Sequence, residues 1–243
     1  MKKEVPKILF VTTSWDDGDI LDLKLAKLLR KYDIMGTFYI PKSYRSSPLE
    51  HRDIVMLDNE FEVGAHSLTH PNLTAISLQD VRKEIEGSKN YLEELLNHSV
   101  LMFCYPKGCY NEQIKNVVKD SGFIGARTCV HGGFDFPQDP YEWQIGLHAS
   151  NGSPLMSLRI WLNSHISIKS MLDWEKRAKL LFDLAMQKGG VYHLWGHSWE
   201  FEQNNTWDKL EQVLKYISHR ADVQYMTNSE ILKQHLVKGE SDE

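Results

Sequence analysis

An alternation along the chain constrains its fold more than any single motif. Short β-branched or aromatic runs (ILFVTTSW, GTFYI, FEVGAH, LMFCY, FIGART, WQIGLHA, GGVYHLWGH and VQYMT) are separated by longer stretches, several of which space their apolar residues as helices do. LDLKLAKLLRKY repeats leucine at that spacing, SLQDVRKEIEGSKNYLEELL opens on a serine suited to capping, and MLDWEKRAKLLFDLAMQKGG ends on glycines. This pattern predicts parallel strands joined by crossover helices, hence an α/β barrel or an open sheet. No internal repeat or low-complexity linker divides the chain. One domain is therefore expected over residues 1–237, with an irregular insertion at about 150–168 and a solvated tail at 238–243.

Composition narrows the partners. A chain of 243 residues with 42% hydrophobic and 11% aromatic content can bury a sizeable core. The net charge of −5 and the lack of a dense Lys/Arg block argue against nucleic acid or an anionic membrane surface. No apolar run approaches the roughly 20 residues that cross a bilayer. The start, MKKEVPKILFVTTSWDDG, passes from a short apolar run straight into acidic residues, unlike an export signal. Cys104, Cys109 and Cys129 form no CxxC pair, which suits a reducing compartment. Both features set a cytoplasmic expectation.

Two short motifs carry chemistry. In SWDDGD, Asp16 and Asp17 stand at the end of the first strand, and Gly18 permits a sharp turn. Adjacent carboxylates repel and diverge in an extended backbone, so one could bind a cation while the other acts as a base. Asp and Gly also dominate ordinary turns. In HSLTH, His66 and His70 stand four apart, and Pro71 pushes His70 out of the α region, so that a single turn is expected there rather than a long helix. The glutamate of the HExxH peptidase motif is absent. Two capping histidines would look the same in isolation. Taken together, however, Asp17, His66 and His70 offer one oxygen and two nitrogens, a donor set that leaves coordination positions for water and substrate on a hydrolytic divalent metal. Asp16 would be the neighbouring base.

A strand running into SWDDG, followed by HSLTHP, resembles the polysaccharide deacetylase (NodB-homology) family, carbohydrate esterase family four. The family's first two signatures are usually written TFDDG and H(S/T)xxH. FCYPKGCYN resembles its third motif, GGVYHLWGHSWE its last, and LEQVLKYISHRADVQYMTNSEI its closing helix, strand and helix. The resemblance implies a distorted, irregular (β/α) barrel and metal-dependent removal of an N-acyl group, most often acetyl, from an amino sugar or oligosaccharide. It makes Asp16 the base that assists a metal-bound water, and Asp17, His66 and His70 the ligands of a divalent ion, typically zinc. Tyr105, Pro106, Lys107 and Gly108 match a substrate loop in which the Lys107 N–H helps hold the oxyanion.

One departure stands out. Many members carry an arginine two positions before the proline, paired with the base, and this chain has Cys104 there. Arg127, in FIGART, is the candidate to reach Asp16 in its place. In an extended GGVYHLWGH, His193, Trp195 and His197 share a face. Barrel enzymes place chemistry at the C-terminal ends of strands, so His197 is expected to protonate the leaving amine, and His193, one layer deeper, to be a core histidine. Trp199 and Glu200 are expected on the loop that follows, Trp199 either stacking on a sugar or covering the core. His148, ending WQIGLHA, is a further pocket candidate. The alternatives are hydrolysis of another non-peptide C–N bond on the same scaffold, whose metal-independent members lose the histidine pair retained here, or carbohydrate binding without catalysis.

Overall fold

The run LFVTTSWD lacks alternation because the strand it forms is enclosed on both faces. Every residue of β1 (Leu9–Asp16) is buried in the computed structural model, which describes residues 8–150 and 173–241. On one side β1 pairs with β2 (Gly36–Ile40), beyond which lie β3 (Glu62–Ala65), β4 (Met102–Cys104), β5 (Gly125–His131) and β6 (Trp143–Ile145). On the other side lie β8 (Gly190–Gly196) and then β7 (Leu147–His148). All of these pairings are parallel. The short β9 (Val223–Tyr225) runs parallel to Leu9–Val11 at the start of β1.

The two ends of this sheet, β6 and β7, are neighbours in the chain, separated only by Gly146. Its N–H donates to the His193 carbonyl at 3.1 Å. A Cβ at Gly146 would stand 2.8 Å from that oxygen, so a glycine is needed for the approach. WQIGLHA thus forms two strands, and the chain itself carries the sheet round into a nearly closed, distorted barrel.

The covering helices are α1 (Asp22–Lys31), α2 (His51–Asp58), α3 (Leu78–Leu96), α4 (Glu112–Asp120), α5 (Trp174–Lys188), α6 (Ser198–Gln203), α7 (Trp207–Ile217) and α8 (Asn228–Ser241). The leucine spacing of α1 turns Leu25 and Leu29 into the core, where each contributes about 1.5–3 kcal/mol. Ser77 caps α3 by accepting the Asp80 N–H, and Asn111 caps α4 through the Ile114 N–H. Among the described residues no helix is long and apolar enough to cross a membrane. The expected insertion at about 150–168 falls, apart from Ser150, outside the described residues. Helix α8 runs to Ser241, into the segment expected to be a solvated tail.

Candidate active site

The C-terminal end of β1 divides the two aspartates. Asp17 and Gly18 both take left-handed backbone, φ 85° and 63°, instead of the extended path expected for the pair. A Cβ at Gly18 would lie 2.9 Å from Ile40 Cγ2. This turn sends the two carboxylates in different directions. Asp16 is buried in the barrel, where Arg127 of β5 donates from Nη2 to its Oδ1. The β4–β5 register places Cys104 directly beside Arg127, so the arginine reaches the base from one strand further over than in the family pattern. The guanidinium is fully buried, with Cζ 5.3 Å from the Tyr39 ring centroid and 4.7 Å from that of Trp195. Burial alone would raise the Asp16 pKa, but the charges of Arg127, His66 and His197 outweigh it and hold the carboxyl at about 2. The Cys104 thiol makes only a long contact, 3.7 Å, to Asp16 Oδ2.

Asp17 faces the histidines. Its Oδ1 lies 3.8 Å from His66 Nε2 and 3.5 Å from His70 Nε2. Residues 66–70 form a bend in place of the expected turn, with left-handed Ser67 (φ 64°) and His70 (φ 55°). Ser67 Oγ accepts the His70 N–H at 3.0 Å, and Glu84 Oε2, on α3, accepts the N–H groups of Leu68 and Thr69 at 2.8 Å each. The bend is therefore held by a carboxylate of the neighbouring helix. His66 Nδ1 donates to the Cys104 carbonyl at 2.8 Å, which leaves the Nε2 lone pair towards Asp17. Trp199 Nε1 donates to Asp17 Oδ2 at 2.9 Å.

These residues fit a divalent cation. Asp17 Oδ1 is buried with no hydrogen-bond partner among the described residues, while His66 Nε2 and His70 Nε2 both face it. Burial pushes the Asp17 carboxyl up and lowers His66 and His70 to about 4, so with no cation present all three are driven towards their neutral forms. A divalent cation among the Asp17 oxygen and the two imidazole nitrogens would replace the water that burial removes and give these atoms a common partner. Asp16, His66 and Cys104 also bring ligand atoms together, but Arg127 places a positive charge on that group and burial keeps the Cys104 thiol protonated.

His197 stands at the mouth with Nε2 3.9 Å from Asp17 Oδ2 and Nδ1 3.2 Å from Glu200 Oε2. Burial works against its charged form, yet the hydrogen bond to Glu200 and the charges of Asp16 and Asp17 raise its pKa overall. Helix α6 begins directly after His197, so Trp199 and Glu200 occupy its first turn and not the loop expected for them. Glu200 Oε2 also takes His148 Nε2 at 2.8 Å; these contacts outweigh burial and hold the carboxyl at about 2. His193 lies deeper, wholly inside the barrel, with Nε2 2.8 Å from Ser14 Oγ, and burial lowers its pKa to about 3.

The segment after β4 makes a tight turn with left-handed Lys107 and Gly108. A Cβ at Gly108 would lie 2.8 Å from that of Cys129. Tyr105 anchors the turn, its hydroxyl donating to the Tyr141 carbonyl at 3.1 Å and its ring stacked on Tyr110. Sequence reasoning missed the β2–α2 loop. Tyr44 stacks on His70 with centroids 4.0 Å apart, and Arg45 both lies 4.5 Å over the Trp199 ring and pairs with Asp19 at 3.0 Å. An aromatic and a cation just past a strand's C-terminal end were the available signal.

A family model described as polysaccharide deacetylase matches residues 3–126, just over half of the chain. That span holds Asp16, Asp17, His66, His70 and the Tyr105–Gly108 turn, and stops one residue before Arg127. The chain is 26% identical over 160 residues to YxkH of Bacillus subtilis (strain 168), which covers 64% of this chain and 55% of that one. It is 27% identical over 116 residues to the peptidoglycan-N-acetylmuramic acid deacetylase PdaC of the same organism, 47% of this chain and 25% of PdaC. The chain thus spans about a quarter to about half the length of these relatives. In fold it is similar to the chitin deacetylase of Colletotrichum lindemuthianum, with a TM-score of 0.62 and 14% identity over 93% of this chain and 89% of that one. It is also similar to a family-four pseudoenzyme from Bacillus anthracis, with a TM-score of 0.57 and 18% identity over 94% and 66% of the two chains. On the matched half and the barrel that continues it, this chain belongs to the polysaccharide deacetylase family, carbohydrate esterase family four.

Proposed function

We propose that this protein hydrolyses the N-acyl group, most often acetyl, of an amino sugar in an oligosaccharide or polysaccharide, with a divalent ion, zinc by preference, held by Asp17, His66 and His70. One observation carries the reading: Asp17 Oδ1 is buried and unpartnered while facing both imidazoles, with an ionised Asp16 beside it and His197 across from it. When bound, the cation supplies Lewis-acid polarisation of the acyl carbonyl and makes water acidic enough for a weak base to deprotonate.

The chain's own residues divide the remaining work. Asp16 has its Oδ1 tied to Arg127 and keeps Oδ2 to accept a proton from the attacking water. A carboxylate with a pKa of about 2 is a weak base, which is why this chemistry needs an acidified water. The Lys107 N–H, in the left-handed turn, donates to the developing oxyanion, a contribution of about 3 kcal/mol. His197, its Nδ1 hydrogen held by Glu200, delivers the Nε2 proton to the amine as the C–N bond breaks. The products are a carboxylate, acetate in the commonest case, and a free amino sugar.

PdaC and the fungal chitin deacetylase are named for N-acetylated sugars, and these supply the substrate class. A soluble oligosaccharide or sugar conjugate in the cytoplasm is proposed from composition alone; turnover of insoluble polymer with none of soluble substrate would exclude it. The test of the whole reading is amine release from a panel of N-acetylated and N-formylated sugars by wild type and Asp16→Asn. The variant should keep its metal and lose at least a hundredfold in kcat. Equal rates in the two would overturn the scheme.

A further inference from the structure

His148, His197 and Glu200 form a second group of metal-competent atoms, and deacetylation as proposed uses it only in part. The three come from the ends of β7 and β8 and the first turn of α6, with ligand atoms all within 4.8 Å of one another. His148 Nε2 is 2.8 Å and His197 Nδ1 3.2 Å from the same oxygen, Glu200 Oε2. A tetrahedral ion with bonds of ~2.0–2.1 Å places neighbouring ligand atoms about 3.3 Å apart, so little movement is needed to admit one.

Both rings are already oriented. His148 stacks on Trp195 with centroids 4.3 Å apart, its Nδ1 is 2.9 Å from Ser150 Oγ, and its ring meets that of His197 edge-on at 5.7 Å. The group is also more exposed than the first. The side chains of His148, His197 and Glu200 are 17%, 18% and 19% exposed, against 3%, 7% and 4% for His66, His70 and Asp17.

We infer that His148, His197 and Glu200 constitute a second, weaker divalent-cation site, whose occupancy inhibits by engaging His197 Nδ1 and taking that residue out of proton delivery. A cation there takes the place of the hydrogen on His197 Nδ1, which passes to solvent and leaves that ring neutral with its remaining hydrogen on Nε2, and it binds His148 as the tautomer whose Nδ1–H faces Ser150 Oγ. The binding claim stands on the three side chains alone; the inhibitory claim rests on the deacetylase reading.

The test is equilibrium dialysis of the full chain against rising zinc, followed by elemental analysis, with cobalt as a spectroscopic substitute. Wild type should take up two equivalents, His148→Ala only the tighter one, and His66→Ala only the weaker one. Glu200→Gln provides a second variant that should also lose the weaker equivalent, should His148→Ala fail to fold. Amine release by wild type should fall at least tenfold as the second equivalent fills, whereas His148→Ala should keep its own zinc-limited rate across that range. One equivalent in wild type, or two in both His148→Ala and Glu200→Gln, overturns the site. Two equivalents in wild type and one in His148→Ala, with no amine release anywhere, leaves the site standing and removes the deacetylase reading instead.

Discussion

Arg127 on β5 and Asp16 on β1 form an ion pair inside the barrel, 111 residues apart in sequence, with the guanidinium entirely buried. The neighbour of Arg127 on β4 is Cys104, the position where the family pattern expects the arginine. The charge has moved one strand sideways and still reaches the same carboxylate.

Replacing Arg127 with alanine should therefore act on Asp16 directly. A buried carboxylate left unpaired costs about 3–5 kcal/mol, to be read in denaturant titrations at neutral pH. With Arg127 present, the folded pKa is about 2 against an ordinary 3.8, so the ionised pair stabilises the fold above 3.8, and that stabilisation is lost as pH falls through about 2. Without Arg127, burial dominates and the pKa rises, so the acidic limb of amine release should move to higher pH. An unchanged profile would mean that Arg127 does not govern the base.

Cys104→Ala should be mild by comparison. Its thiol touches Asp16 only at 3.7 Å, so the variant loses about 1 kcal/mol of packing and amine release stays within about threefold of wild type. A loss as large as that of Arg127→Ala would assign the thiol a role in holding Asp16.

Trp199→Phe keeps an aromatic ring and deletes the Nε1–H that Asp17 Oδ2 accepts at 2.9 Å. Removing a partner that orients a metal ligand typically lowers metal affinity by ~10–100-fold, measurable by competition with a chromogenic chelator. Unaltered affinity would make Trp199 a cover for the site and nothing more.

His193 should behave as part of the barrel core. Its folded pKa, about 3 against 6.5, favours the neutral ring, so its stabilising contribution is full above 6.5 and is lost as pH falls towards 3. His193→Gln should lose about 1–3 kcal/mol at neutral pH, retain one tight metal equivalent, and show a shallower decline in stability on acidification. Full stability with abolished amine release would place His193 in the chemistry.

Much of this was legible in the chain itself. The strand-like runs mark the strands of the barrel, and SWDDGD and HSLTH stand at the ends of β1 and β3 because polar, turn-forming residues follow runs that need burial. What remained hidden depends on geometry between elements. The reach of Arg127 is set by the β4–β5 register, which no local pattern encodes. The left-handed backbone at Asp17 and His70 is uncommon for non-glycine residues, and at Asp17 it is set by a bond between strands, the N–H donating to the Tyr39 carbonyl at 3.1 Å. Glu200 serves two histidines only because β7 and β8 pair with His148 beside Trp195, and Tyr44 reaches His70 from a loop with no periodic signal.

The most direct test is the metal content of the purified protein, wild type against His66→Ala, with amine release from an N-acetylated sugar followed on the same samples. Wild type should hold one divalent equivalent tightly, His66→Ala should lose it together with amine release, and chelated wild type should recover on adding the ion back. Amine release that survives both chelation and His66→Ala would contradict a metal-dependent mechanism, and a wild type that takes up no metal when loaded would remove the role assigned to Asp17, His66 and His70.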